Sequence, residues 1–334
     1  MRRFFDPRQL LHAPVLELHN GGFMRYAETP ARVESILAAI GGTELPRDHG
    51  EGPILRVHPP AYLAFLKVAH RDWQTAGRPG DAFPYAFPVA RRRDLQLDRI
   101  DARLGRYAMD ACSPISSGTW EAAYWNAQTA LSALEAVLGG ERSAFALCRP
   151  PGHHAGADYV GGYCYLNTAA IAAEAAIAAG RRKVAILDVD YHHGNGTQDI
   201  FWTRGDVLFV SIHADPTTDY PFYWGHADEI GEGDGEGATL NLPLPRGTTL
   251  DAFARALDQA CERISDFSPD LLFCSFGADT YAGDPISHFA IETGDYPVLA
   301  GRIASLGMPT LIVMEGGYAV DDLGRNVASF LSGF

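Results

Sequence analysis

The chain is poor in cysteine. Its 334 residues hold five, at 112, 148, 164, 261 and 274, an odd number with no CxxC spacing. That excludes a disulfide-framed scaffold and fits free thiols in a reducing compartment. Long apolar runs are missing as well. No stretch approaches the roughly 18 consecutive apolar residues of a membrane span, and the first residues carry no apolar run long enough for a signal peptide. Basic side chains are the minority, with 27 Lys and Arg against 41 Asp and Glu, a formal charge of −14. Such a field repels nucleic acid and anionic lipid and attracts cationic ligands. The expectation is a soluble cytoplasmic protein with no nucleic-acid or membrane partner. Internal repeats and low-complexity tracts are absent too, and no boundary splits the chain, so residues 1–334 read as a single domain.

What is present is a series of short, almost wholly apolar segments: AFALC (144–148), KVAILDVD (183–190), DVLFVSIH (206–213), TLNLPL (239–244), LLFCSF (271–276) and TLIVME (310–315). Strands apolar on both faces belong in a parallel sheet covered by helices. Helical patterns lie between them. TWEAAYWNAQTALSALEAVLGG stops at a Gly pair, LNTAAIAAEAAIAAGRRK is alanine-rich, and TLDAFARALDQACERISDF opens with a capping Thr. The alternation predicts a doubly wound α/β domain. Residues 74–118, rich in Pro, Gly and charge, are too long for an ordinary connection and read as a lid, entrance or interface loop.

The chemistry concentrates where apolar segments end. In AILDVDYHHGNG, Asp188, Asp190 and His192 are spaced two apart at a strand end, where period two projects them the same way. Ligands of open parallel sheets bind beyond the carboxyl ends of the strands. Carboxylates and an imidazole aimed at one point are costly to bury without a cation, and the mixture suits zinc or iron(II). Asp279, after LLFCSFGA, supplies a third ligand to Asp190 and His192 and leaves positions open for water and substrate. RPPGHHA (149–155) ends another strand, so His153 and His154 fall on the same rim. Their ordinary pKa of about 6.5 suits proton transfer. Tyr318, in EGGY, ends a further strand, where its phenol can face a developing oxyanion. None of the five cysteines suggests a nucleophile.

Together RPPGHHA, GGYCYLNTAAIAA, ILDVDYHHGNGTQDIF, SFGADTYAGDP and EGGY resemble the histone deacetylase superfamily, in that family's order and approximate spacing. In character the chain is most similar to its bacterial acetylpolyamine amidohydrolases. The resemblance implies the fold shared with arginase, a single α/β domain around an eight-stranded parallel sheet flanked by helices. It also implies zinc-dependent (or iron-dependent) hydrolysis of N-acetyl amides. By motif, Asp190, His192 and Asp279 look like the metal ligands, His153 and His154 the tandem acid–base pair, and Tyr318 the carbonyl-polarising tyrosine. Gly162 and Tyr163 fall where the family lines its acyl tunnel, with Tyr220 on the opposite wall. Asp188, Asp190, His192, Ser211 and Ile212 match a structural potassium site, and Arg32 matches an arginine near the acetate-release channel. One position departs from the main eukaryotic pattern: Asn195 stands where Asp is frequent, and a neutral amide stabilises a cationic His154 less. That leaves the division of labour within the pair open.

The acidic chain favours small cationic acetylated amines over protein lysines, although an acetyl-lysine protein deacetylase, or a deacetylase of another small metabolite, is the alternative. Asp94, Asp98, Asp101, Asp110 and Glu121 are candidates to meet the ammonium groups, with Asp110 and Glu121 preferred. The basic run ARRRD (90–94) cuts against a uniformly acidic rim. In the bacterial relatives, the resemblance implies, the 74–118 region narrows the entrance and forms a homodimer contact. An arginase-type dimanganese hydrolase would need further carboxylates where this chain has Thr280 and Tyr281. A non-catalytic module would be expected to have lost one of the site residues, and all are present.

Overall fold

The computed structural model describes residues 1–19, 21–88 and 95–334. Asp94 and the basic run at 90–94 therefore lie outside the described residues. Each apolar segment forms a strand: β4 (Ser143–Ala146), β5 (Val184–Asp188), β6 (Val207–Ala214), β7 (Thr239–Leu244), β8 (Leu271–Phe276) and β9 (Thr310–Met314). They join β1 (Arg2–Phe4) in one sheet of order β1-β4-β9-β8-β5-β6-β7, parallel throughout. Every residue of β4, β5, β6, β8 and β9 is buried, because helices cover both faces. Phe145, Phe209 and Phe273 fill the middle, each contributing on the order of 1.5–3 kcal/mol by burial.

The expected eight strands are corrected to seven among the described residues. The sheet ends where the pattern ends. β7 alternates buried and half-buried residues and carries Pro243, which has no N–H to offer a further strand. The three-residue β1 closes the other edge. The remaining strands, β2 (Leu16–His19) and β3 (Gly22–Arg25), pair with each other as a separate antiparallel ribbon. The 74–118 region is not one loop either. Its described part holds a helix, Ile100–Arg106, whose Ile100 and Leu104 enter the core, and Ala82 and Ala108 bridge to Ile115 and Val160.

The strand order determines where chemistry can gather. From β5 the chain runs outward through β6 to β7, then returns to the other side of β5 as β8 and continues to β9. β5 and β8 thus flank the point where the winding reverses, and β4, β9, β8 and β5 are consecutive neighbours. The loops that leave those four strands carry His153 and His154, Tyr318, Asp279, and Asp190 with His192. Residues far apart in sequence therefore share one rim.

Candidate metal centre and its pocket

β5 stops at Asp188, so Asp190 and His192 lie in the turn beyond it, and Asp279 sits in the one-turn helix Ala278–Thr280 after β8. One ligand atom from each of Asp190, His192 and Asp279 lies within 4.8 Å of the other two. His192 Nδ1 faces both carboxylates, 3.2 Å from Asp279 Oδ2 and 3.5 Å from Asp190 Oδ1. Backbone N–H groups aim the acids: Gly316 donates to Asp190 Oδ2 at 2.8 Å, His192 to Asp190 Oδ1 at 2.9 Å, and Tyr191 to Asp279 Oδ1 at 3.0 Å.

The set fits a divalent cation on two grounds. The first is electrostatic. Burial, then the neighbouring Asp190, pushes Asp279 up to about 7. Burial alone would lower His192, but hydrogen bonds to Asp190 and Asp279 outweigh it and bring the imidazole up to about 10. A cation removes the conflict between the two acids. The second is steric. A Cβ at Gly277 would fall 1.9 Å from Asp190 Oδ2, and one at Gly316 would fall 2.4 Å from Asp279 Oδ2. Only glycine lets the backbone close so near the carboxylates.

Asp188 does not join this cluster. Its Oδ2 pairs with His153 Nδ1 at 2.9 Å and its Oδ1 accepts from Asp190 N at 3.1 Å. Strand alternation stops at Asp188, and the turn beyond it re-aims Asp190 and His192 away from the direction Asp188 takes. Ser211 lies beside it on β6, followed by Ile212, both fully buried, and Ser211 Oγ contacts His213 Nδ1 at 2.8 Å.

The tandem histidines differ sharply. Their rings are 4.0 Å apart and both are buried. His153 faces a carboxylate, whereas His154 Nδ1 contacts Asn195 Oδ1 at 2.7 Å. Burial opposes charge on both. For His153 the charges of Asp190 and Asp188 prevail and bring it up to about 10. For His154 burial, with His153 and His192 adding to it, holds the pKa well below the ordinary value. Asn195 Oδ1 only accepts, so the proton of neutral His154 sits on Nδ1 and the lone pair on Nε2. The asymmetry that the sequence left open thus takes a direction: a cationic His153 and a neutral His154 that lines the pocket.

Tyr318 lines the same pocket. Its backbone N–H is held by Asp284 Oδ2 at 2.6 Å, and Arg32 lies 4.8 Å over its ring. Burial pushes the phenol well above its usual range, leaving it a hydrogen-bond donor. The Arg32 guanidinium is itself engaged, with Gly317 O, Glu315 O and Glu28 Oε1 at 2.6, 2.6 and 2.7 Å. Gly162, Tyr163 and Tyr220 also line the pocket, whose volume is about 680 Å³. Tyr163 holds a left-handed φ of 66°, costly for a tyrosine, with its N–H bound to Ser113 Oγ at 2.9 Å.

The acidic candidates separate. Asp110 reaches the pocket wall, but both of its oxygens already accept, from Gly162 N, Tyr220 OH, Cys112 N and Ser113 Oγ. Glu121 is corrected: it stands on the exposed face of the helix Thr119–Leu138, outside the pocket lining, because its position in the helical repeat points to solvent. Asp98 is exposed, and Asp101 is paired with Arg78 and Arg99. The acid that sequence reasoning missed is Glu17 on β2. It lines the pocket, is 3% exposed, and its Oε2 has no hydrogen-bond partner among the described residues. The available signal was in the sequence alone: Asn-Gly-Gly between LELH and FMR is a composition that favours hairpin connections. His288 and Arg246 also line the pocket without having been expected. Cys112 lines it too, but burial and then Asp110 push its thiol well above the usual range, so it is no nucleophile. All five cysteines are free. Among the described residues no helix is long and apolar enough to cross a membrane.

Residues 26–334 match the histone deacetylase domain. The chain is 50% identical over 331 residues to acetylpolyamine amidohydrolase 1 of Pseudomonas aeruginosa, an alignment covering 97% of this chain and 96% of that one. It is 43% identical over 338 residues to the acetylpolyamine amidohydrolase of Mycoplana ramosa, covering 100% and 99%. The crystal structure of an acetylpolyamine aminohydrolase from Burkholderia pseudomallei superposes with a TM-score of 0.96 at 43% identity, covering 100% of this chain and 98% of the other.

Proposed function

The chain belongs to the histone deacetylase family, and from that premise we propose that it hydrolyses N-acetylated polyamines, such as acetylputrescine, acetylcadaverine and acetylspermidine, to acetate and the free amine. The observation that carries the reading is one pocket with two chemistries: His192, His154 and Tyr318 line it, with Asp190 and Asp279 gathered behind His192, and the unpartnered carboxylate oxygen of Glu17 is on its wall. A buried anion beside an acyl-binding site suits a substrate that ends in ammonium groups. Glu17 takes the part first expected of Asp110 and Glu121, while Asp110 ties Gly162 and Tyr220 together as opposite walls of the tunnel.

Asp190, His192 and Asp279 would hold a divalent cation, zinc by preference and iron(II) second, which would supply Lewis acidity and make a water more acidic. His154 Nε2 takes a proton from the attacking water as the new C–O bond forms. Tyr318 donates a hydrogen bond to the oxygen on which charge develops. His154 then returns the proton to the amide nitrogen as the C–N bond breaks, because the amine is too basic to leave as an anion. His153, paired with Asp188, adds to the burial that holds the pKa of His154 below its ordinary value.

Two further assignments accompany this reading. A potassium ion beside Asp188, Asp190, His192, Ser211 and Ile212 would offset the buried carboxylates, and a homodimer would form through the 74–118 region. The protein acts in the cytoplasm. The deciding experiment compares kcat/KM on the three acetylpolyamines with that on an acetyl-lysine peptide. The polyamines should be turned over faster, and a faster peptide would replace this substrate with protein lysine.

A further inference from the structure

Glu315, the residue after β9, is fully buried, and no step above uses it. Its Oε2 accepts from two successive backbone N–H groups, Gly152 at 2.6 Å and His153 at 3.2 Å. Its Oε1 is buried with no hydrogen-bond partner among the described residues. Its backbone belongs to the other side of the site. Its N–H donates to Phe276 O at 2.8 Å, and its carbonyl accepts from Arg32 Nη2 at 2.6 Å. The next residue, Gly316, donates to Asp190, and Tyr318 follows two residues later. One residue therefore has its main chain in the loop that carries Tyr318 and its side chain in the loop that carries the tandem histidines.

Burying a carboxylate with one oxygen unpartnered is costly. Two charge-assisted hydrogen bonds at the other oxygen offset part of that cost, and they have a geometric consequence. They fix the backbone at residues 152 and 153 relative to β9, and so the place of the His154 ring in the pocket that Tyr318 also lines. Without the acceptor, two buried N–H groups lose their partner and the turn can shift. A displacement on the order of 1 Å in a proton-transfer group is enough to cost about 100-fold in rate. We propose that Glu315 is a positioning residue that, by accepting from Gly152 and His153, holds the tandem-histidine loop in register with the Tyr318 loop. The proposal rests on the reading of His154 as the group that moves protons.

The test uses Glu315→Ala, Glu315→Gln and His154→Ala in the full chain, with kinetics on acetylputrescine and amide hydrogen exchange across residues 149–155. Glu315→Ala should lower kcat by about tenfold or more with KM within about twofold, and should speed exchange at Gly152 and His153. Glu315→Gln keeps an acceptor oxygen and should stay within about fivefold of the parent in kcat, with exchange still protected. The proposal is overturned if Glu315→Ala changes KM alone or leaves exchange unchanged, or if Glu315→Gln loses about fivefold or more. Should Glu315→Ala fail to fold, Glu315→Gln decides by the same limit. If His154→Ala keeps its activity, the proton-transfer reading fails instead, and the exchange data still report on whether Glu315 holds the loop.

Discussion

At the floor of the site, Asp190, Asp279, His153 and His154 are each at most 4% exposed, whereas Met24 and Phe222, on the wall of the pocket that His154 and His192 also line, are 47% and 50% exposed. The two regions are held differently. Around the buried acids nearly every carboxylate oxygen accepts from a backbone N–H or faces an imidazole, so the positions of four loops are fixed by several bonds at once. The mouth is assembled from the β2–β3 ribbon, residues 110–112 and the loop after β6, with Asp110 accepting from Gly162 N and from Tyr220 OH of that loop. Fixed groups at the floor suit a reaction that demands geometry. A looser wall suits the choice of what enters. Substitutions at the floor should therefore act on kcat and those at the wall on KM.

The largest effect should come from His154→Ala, which removes the proton acceptor and should lower kcat by about 10³-fold while metal content, measured by atomic absorption, stays at the parent level. Loss of metal would place His154 in the wrong group. The pH profile sharpens this. A lowered pKa keeps His154 neutral as pH falls past the ordinary value, so the acid limb of kcat/KM should lie below about pH 6.5. A limb at or above that value would mean that His154 is not the base. Next comes Tyr318→Phe, which removes one donor to the developing charge. A loss of about 10²-fold in kcat with little change in KM is expected, and a rise in KM alone would move the phenol from the reaction to substrate binding.

The same contrast explains how much could be read from the sequence. Each floor residue follows a strand whose apolar run is unmistakable, and the parallel sheet carries all such ends to one side. DVD, GHHA, GADT and EGGY were legible for that reason. Asp188 was less so, because strand alternation stops at the strand's last residue and the turn beyond it re-aims Asp190 and His192. Glu315 and Asp284 lay inside quoted motifs, but their value comes from the backbone groups they bind in other loops, which spacing does not reveal. The mouth was least legible. Whether Asp110, Glu121 or Glu17 meets the pocket depends on which way a loop, the helix Thr119–Leu138 and a ribbon face. An acidic composition is silent on that.

Glu17→Gln tests the wall. It keeps the shape and removes the charge. KM for acetylputrescine should rise by about tenfold with kcat nearly unchanged. A neutral acetylated alkylamine of equal length should show no such rise. An equal loss on both substrates would make Glu17 a packing residue and break the division between floor and wall.

The smallest catalytic effect is expected furthest from the floor, at Phe23 on β3. Its side chain is 64% exposed and its ring meets Phe83, in the 74–118 region, edge-on at a centroid distance of 5.4 Å. A homodimer formed through the 74–118 region would bury this exposed ring. Phe23→Glu places a charge where a dimer would exclude water, so sedimentation velocity at micromolar concentration should show the parent as a dimer and the variant as a monomer. kcat should change by no more than about twofold, because no floor group depends on Phe23. A parent that sediments as a monomer would remove the dimer from the account. A variant that loses kcat along with its partner would show that the floor is not independent of the mouth, and the separation drawn between them would have to be given up.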